Sequence, residues 1–254
     1  MDQEHVRGGR QVTGTILGRT GLAALAVIAM SGCSAQPAGS APPLAPAAQA
    51  RAGSASQAIA LDRKFDEPLP VHLRGDPDDR TVKVATCAEY AKVRARVNGS
   101  DSEMDYAVVK SEGAHCDALL LLRKATAASH AALPAGDFLS WRTANQFPGS
   151  LWASFSDEEK ARLAAPGATL QTASGKASFK SVPAQFLELE SRSAGIHLSL
   201  IGLGDVDHDG WQDAVVLVEG YAKGGSATTT RAAVLTRRTG ETLLRELPVD
   251  VLLK

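Results

Sequence analysis

Ile196-His197-Leu198-Ser199-Leu200-Ile201-Gly202-Leu203-Gly204-Asp205-Val206-Asp207-His208-Asp209-Gly210-Trp211-Gln212-Asp213-Ala214-Val215-Val216-Leu217-Val218 is the stretch that decides the fold. Its first part nearly alternates apolar with polar or small residues, the period of a strand with one buried face. Its last part, Ala214–Val218, is a short apolar run directly after a turn and reads as a buried strand. The acidic segment between them is too short for a parallel crossover, so the two strands pair antiparallel. Outward from this pair, Phe186–Glu190 alternates in the same way, and Ala232–Thr236 and Thr242–Leu247 add two further strands. Gly224-Gly225 and Thr239-Gly240 mark hairpin-like connections. From about residue 169 onward the chain therefore reads as an antiparallel sheet.

Towards the N-terminus the pattern becomes helical. Thr86 followed three residues later by Glu89 is a capping-box pattern that predicts a helix over residues 87–97, ended by Asn98-Gly99. A second helix is expected over residues 116–125, and Ser156 with Glu159 predicts a third, stopped by Pro166-Gly167. Residues 133–155 hold Phe138, Trp141, Phe147, Trp152 and Phe155 among two prolines and read as a loop packed by its own aromatic side chains. Residues 61–80, rich in Asp, Arg and Pro, read as an irregular lead-in. The expectation is an α+β fold: one domain over residues 61–254, helical over 81–168 and β-rich over 169–254, with the acidic loop between two strands.

That loop, Asp205 to Asp213, has the form D-x-D-x-D-G-x-x-D. Calcium takes six to eight hard oxygen ligands at about 2.4 Å, a set that alternate side chains of a tight loop can supply. Asp205, Asp207 and Asp209 fall at loop positions one, three and five. Gly210 permits the turn at position six, Trp211 offers its backbone carbonyl, and Asp213 binds directly or through water. Without a cation the carboxylates repel one another, by about 1 kcal/mol for a pair 4 Å apart in water. The alternative is a metal-free acidic turn. The loop resembles those of EF-hands, dockerins and FG-GAP repeats. Position twelve is Val216 where an EF-hand needs a bidentate Glu, and there is one copy where dockerins have two, so Gly204 through Val218 is most similar to the FG-GAP form. The resemblance implies a strand–loop–strand calcium site with a structural ion and carries no activity.

The N-terminal residues point to export. Arg7, Arg10 and Arg19 precede the apolar run Leu22–Met30, which is shorter than the roughly 20 residues a helix needs to span a bilayer. Met30-Ser31-Gly32-Cys33 then resembles the lipobox of bacterial lipoprotein signals. The resemblance implies that residues 1–32 are removed and that Cys33 becomes the lipidated first residue, anchoring the chain to a membrane. Ser34 after it implies the outer membrane, facing the periplasm, in a bacterium with two membranes. The alternatives are a simple secretory signal or an uncleaved anchor. Residues 33–60 follow as a tether of Ala, Pro, Ser, Gly and Gln with Arg51 as the one charge, too poor in apolar bulk to offset the entropy of ordering.

Of the three cysteines, Cys87 and Cys116 remain once Cys33 is assigned to lipid, an even pair in an oxidising compartment. They read as a disulfide stapling the start of one helix to the start of the next, with two buried thiols as the alternative. Residues 1–32 hold three of the 27 basic and two of the 28 acidic residues, so the remainder carries 24 and 26. This balance excludes the basic excess that nucleic-acid binding needs. No G-x-S-x-G, H-E-x-x-H, C-x-x-C or phosphate-binding glycine loop is present. The expected protein is a non-enzymatic envelope lipoprotein with a binding or structural role, partnered by an envelope protein or glycan. The alternatives are a calcium-dependent envelope hydrolase or a displayed inhibitor or ligand-binding module.

Overall fold

The computed structural model describes residues 60–75, 81–134, 136–182 and 185–254. These form an α+β fold built on two antiparallel sheets that share one long helix. Strand β1 (Lys64–Leu73) pairs antiparallel with β2 (Val82–Thr86), placing Leu69 opposite Val84 and Val71 opposite Val82. Helix α1 (Cys87–Val93) starts where Thr86 accepts a hydrogen bond from the Glu89 N–H, as the capping pattern predicts. A 3-10 turn, Arg94–Arg96, leads to β3 (Val97–Gly99), which pairs with the other edge of β1 in the order β2-β1-β3. Helix α2 (Glu103–Lys124) is capped by Ser102, carries acids in its first turn and ends on Arg123 and Lys124, all favourable to the helix dipole.

After a segment with two 3-10 turns come α3 (Asp157–Leu163), capped by Ser156, and α4 (Leu170–Ser174), capped by Thr169. The larger sheet is an antiparallel meander in sequence order. It comprises β4 (Ser178–Val182), β5 (Phe186–Glu190), β6 (Ala194–Gly204), β7 (Asp213–Ala222), β8 (Thr228–Thr236) and β9 (Arg245–Leu247). Helix α5 (Val249–Leu252) closes the chain.

Alternation along the strands sorts the core into two layers. Leu187, Leu189, Ile196, Leu198, Val216, Val218, Ala233 and Leu235 face the segment 138–170, which lays Phe138, Leu139, Phe147, Leu151, Trp152 and Leu170 over them. Val215, Ala232 and Val234 point to the opposite face and meet Ala118 and Leu121 of α2. A third cluster joins the N-terminal half of α2 to the small sheet through Val71, Val84, Tyr90, Val109 and the disulfide Cys87–Cys116. Gly113 of α2 is required by the close approach of Tyr90, whose hydroxyl would lie 2.4 Å from a Cβ there.

Several sequence expectations are corrected. The described part of the expected irregular lead-in, residues 61–75, is instead largely the strand Lys64–Leu73, because Leu69 and Val71 are buried against β2 and give it an inward face. The first helix stops at Val93, and Asn98-Gly99 lies in extended β3 backbone instead of a left-handed helix end. The second helix begins at Glu103, so Cys116 lies in the middle of α2 and the disulfide joins a helix start to a helix centre. In the β-rich part, α4 and β4 were not anticipated. The aromatics of residues 133–155 divide: Phe138, Phe147 and Trp152 serve the main core, whereas Trp141 and Phe155 are exposed. No helix among the described residues is long and apolar enough to cross a membrane.

Candidate metal centre

The turn between β6 and β7 is shaped by its own carboxylates. Asp205 Oδ1 accepts from the Asp209 N–H at 3.0 Å and its Oδ2 from the Gly210 N–H at 3.0 Å. Asp207 Oδ1 also accepts from the Asp209 N–H, at 3.2 Å, and Asp209 Oδ1 accepts from the Trp211 N–H at 2.9 Å. These bonds wind the chain so that alternate side chains turn inwards. Two residues take positive φ to allow it: Gly210 at 89° and His208 at 62°, the one non-glycine residue of this kind among the described residues. As a result one carboxylate oxygen from each of Asp205, Asp207 and Asp209 lies within 4.8 Å of the others, a group that could hold a metal ion.

Asp213 is not one of those three, but it stands at the end of the same turn with unmet needs. It is fully buried; its Oδ2 accepts from the Val206 N–H at 2.8 Å, and its Oδ1 has no hydrogen-bond partner among the described residues. Thr236 Oγ1, on the neighbouring strand one step beyond the Leu235–Ala214 pair, is the other such atom. The Thr236 hydroxyl is thus the nearby donor available to the Asp213 carboxylate. Burial pushes the Asp213 carboxyl up to about 6, and the charges of Asp207 and Asp209 add to the rise against the opposing Val206 N–H and nearby Thr236 hydroxyl. The Asp207 carboxyl is also raised, by burial and then by Asp209 and Asp205. A cation among these oxygens would reverse both shifts.

Asp209 behaves differently. Burial works against its ionised form, but the Trp211 N–H and the Arg238 guanidinium outweigh it and hold the carboxyl below its usual range. Arg238, half exposed, places Nη2 2.8 Å from Asp209 Oδ2. A metal using that oxygen would have to displace this side chain. Trp211, expected to lend a carbonyl, packs its ring 4.8 Å from His130.

That contact belongs to a clamp the sequence did not reveal. The segment after α2 runs along the loop: Thr126 exchanges both backbone hydrogen bonds with Asp205 at 2.9 Å, the Ser129 and His130 N–H groups donate to Gly210 O, and the Gln212 N–H donates to His130 O. Gly204 admits this approach, since a Cβ there would lie 2.8 Å from Ala125 Cβ. Arg238 and the Thr126–His130 clamp are far from the loop in sequence, and no local pattern marks them.

The expected lipidation site Cys33, with the signal and tether around it, lies outside the described residues. The hydrolase alternative looks for acids with shifted titration in a pocket. Asp117 and Glu246 line one cleft. Burial raises the Asp117 carboxyl, yet Arg94 holds it through two hydrogen bonds, and Glu246 is bound by Arg231 and by Ser150 Oγ at 2.6 Å. Comparisons with protein-family models, with curated proteins and with solved structures found no match.

Proposed function

We propose that this chain is an envelope lipoprotein, anchored through Cys33, whose folded domain has a binding or structural role and is stabilised by one calcium ion in the Asp205–Asp213 loop. The observation that carries the metal reading is the convergence of the Asp205, Asp207 and Asp209 carboxylates beside the fully buried Asp213, one of whose oxygens has no hydrogen-bond partner among the described residues. An all-oxygen, multiply anionic set on a tight loop suits a hard cation, and a flexible coordination number favours calcium over magnesium. Such an ion would tie β6 to β7 and carry no reaction.

The lipid reading rests on the order of basic flank, short apolar run, Ser31-Gly32-Cys33 and charge-poor tether. Two measurements test the parts separately. Calorimetric titration of the chelator-treated protein should show calcium binding with one site per chain and magnesium binding more weakly. Mass spectrometry of protein purified from membranes should find Cys33 as an acylated N-terminus. No calcium binding at millimolar concentration sinks the first part; an unmodified Cys33 thiol sinks the second.

A further inference from the structure

A cleft of about 860 Å³ lies away from the acidic loop along an incomplete sheet edge. The edge arises from the shortness of β9. Arg245, Glu246 and Leu247 cover only Thr236, Leu235 and Val234, after which Pro248, with no N–H to donate, turns the chain into α5. Among the described residues, the preceding part of β8 has no neighbour on that side. Parity shows which groups are left over. The Ala222 N–H donates to Ala227 O, so Ala227, Thr229, Arg231 and Ala233 direct their backbone groups to β7. Thr228, Thr230 and Ala232 therefore direct theirs outwards, and no hydrogen bond to another described residue occupies them.

Thr230 and Ala232 line the cleft, with Lys110 and Asp117 of α2 on one wall and the segment Ser150–Ser154 and Lys160 of α3 on the other. An open edge is ordinarily a hazard that proteins blunt; here it lies between two walls. The volume falls in the range of ligand clefts, roughly 300–1,000 Å³. What fits a row of outward N–H and C=O groups is another extended main chain.

Charge narrows the occupant further. Two of the acids lining the cleft are held by arginines, Asp117 by Arg94 and Glu246 by Arg231, while the exposed Asp250 shares Arg94 at 3.4 Å. Lys110 and Lys160, both exposed on facing walls, form no ion pair with any described residue; Lys110 lies over the Tyr106 ring, 4.9 Å from its centroid. The acids of the first α3 turn do not line the cleft. The chain's own residues 34–60 contain no acidic residue and so do not match this charge.

We propose that the cleft docks an extended, acidic peptide segment of another protein, which adds as a strand to the free edge of β8 at Thr228–Ala232 and sets its carboxylates against Lys110 and Lys160. This rests on the binding role proposed above and requires neither the calcium ion nor the lipid. The test uses the full mature chain and two fluorescein-labelled decapeptides, (Glu-Val)5 and (Lys-Val)5, read by anisotropy. Binding of (Glu-Val)5, with (Lys-Val)5 at least about tenfold weaker, is expected. Thr230→Pro removes one outward N–H at a position where an edge strand tolerates proline, and should weaken binding about tenfold with the melting temperature held. The double variant Lys110→Glu/Lys160→Glu keeps the main chain intact and should reverse the peptide preference, which serves should Thr230→Pro fail to fold. Amide exchange at Thr230 and Ala232 should slow on binding. Failure of both peptides to bind, equal binding of the two, or exchange protection elsewhere overturns the proposal, as does dimerisation of the chain through β8. Calcium titration and Cys33 acylation are read in separate experiments, so their failure is distinguishable from failure here.

Discussion

Replacing Asp207 by Ala should make the domain lose its response to calcium without losing its fold. Asp207 contributes a carboxylate to the cluster and one 3.2 Å hydrogen bond from the Asp209 N–H, a donor that Asp205 Oδ1 also engages at 3.0 Å. Its removal therefore leaves no buried donor unmet. It also removes like charge from a group whose carboxyl is already raised by burial, Asp209 and Asp205. In chelator the variant should match or slightly exceed the parent in stability. In calcium the order should invert. An ion at about a hundredfold excess over its dissociation constant stabilises the native state by about 2.7 kcal/mol. For a domain of 150–250 residues each kcal/mol shifts the midpoint by about 2–4 °C, so the parent should melt roughly 5–11 °C higher with calcium than with chelator. Scanning calorimetry of parent and variant in both buffers gives the four midpoints. A parent midpoint indifferent to calcium would refute the metal reading. So would a variant that melts far below the parent in chelator, since Asp207 would then be part of the turn itself and not a ligand.

Arg238→Gln should raise apparent calcium affinity several-fold in the same titration, because it frees Asp209 Oδ2; an unchanged affinity would mean that oxygen takes no part. The metal-free protein should become more stable as pH falls from 7 to 5. The Asp213 carboxyl, at about 6 when folded, lies above the roughly 3.9 of an unfolded Asp, so its ionisation costs stability that returns as pH drops, about 1 kcal/mol between pH 7 and 5 and about 3 kcal/mol only once pH has fallen below the unfolded value. Calcium stabilisation should fade over the same interval, and Asp213→Asn should flatten the metal-free slope in denaturant titrations. Reducing the Cys87–Cys116 bond, which spans 29 residues, should lower stability by about 3.5 kcal/mol in the same measurement, and Cys87→Ala/Cys116→Ala should reproduce the loss.

What could be read from the sequence was what short periods encode. β5 was located to its residue boundaries and β6, β7 and β8 to within a few, because Leu187/Leu189 and Ile196/Leu198 repeat at two and Ala214–Val218 is unbroken. Capping patterns located the starts of α1 and α3 for the same reason: Thr86 and Ser156 act on residues three positions away. β1 was hidden because its inward residues, Leu69 and Val71, alternate with Pro68 and Pro70, which mimic a loop. The first turns of α2 were hidden because Glu103–Glu112 leaves its apolar Met104 and Val108 exposed and buries Val109 alone, so no apolar face at helical spacing marks it. At the metal centre the aspartates were legible because a loop ligand set is local in sequence. The clamp at Thr126–His130 and the competing Arg238 were not, since tertiary folding alone brings them to the loop.

Helix α2 links these features in a way that can be measured. Its middle is tied to α1 by the disulfide, its flank packs Ala118 and Leu121 on Ala232 and Val234 of β8, and its C-terminal end passes into the Thr126–His130 clamp on the acidic loop. The Ala125 N–H still donates to Leu121 O, and Thr126 is already bonded to Asp205, so the last helical turn and the loop share one run of hydrogen bonds. Removing calcium should restore repulsion among Asp205, Asp207 and Asp209 and loosen that run, whereas the disulfide holds the other part of the helix independently. Amide exchange should therefore quicken in chelator over Leu121–Asp205 contacts and at Gly210 and Gln212, and stay unchanged in β1, β2 and α1. Equal acceleration throughout would mean that the ion supports only global stability; no acceleration at Ala125 and Thr126 would mean that the loop and the helix are mechanically separate.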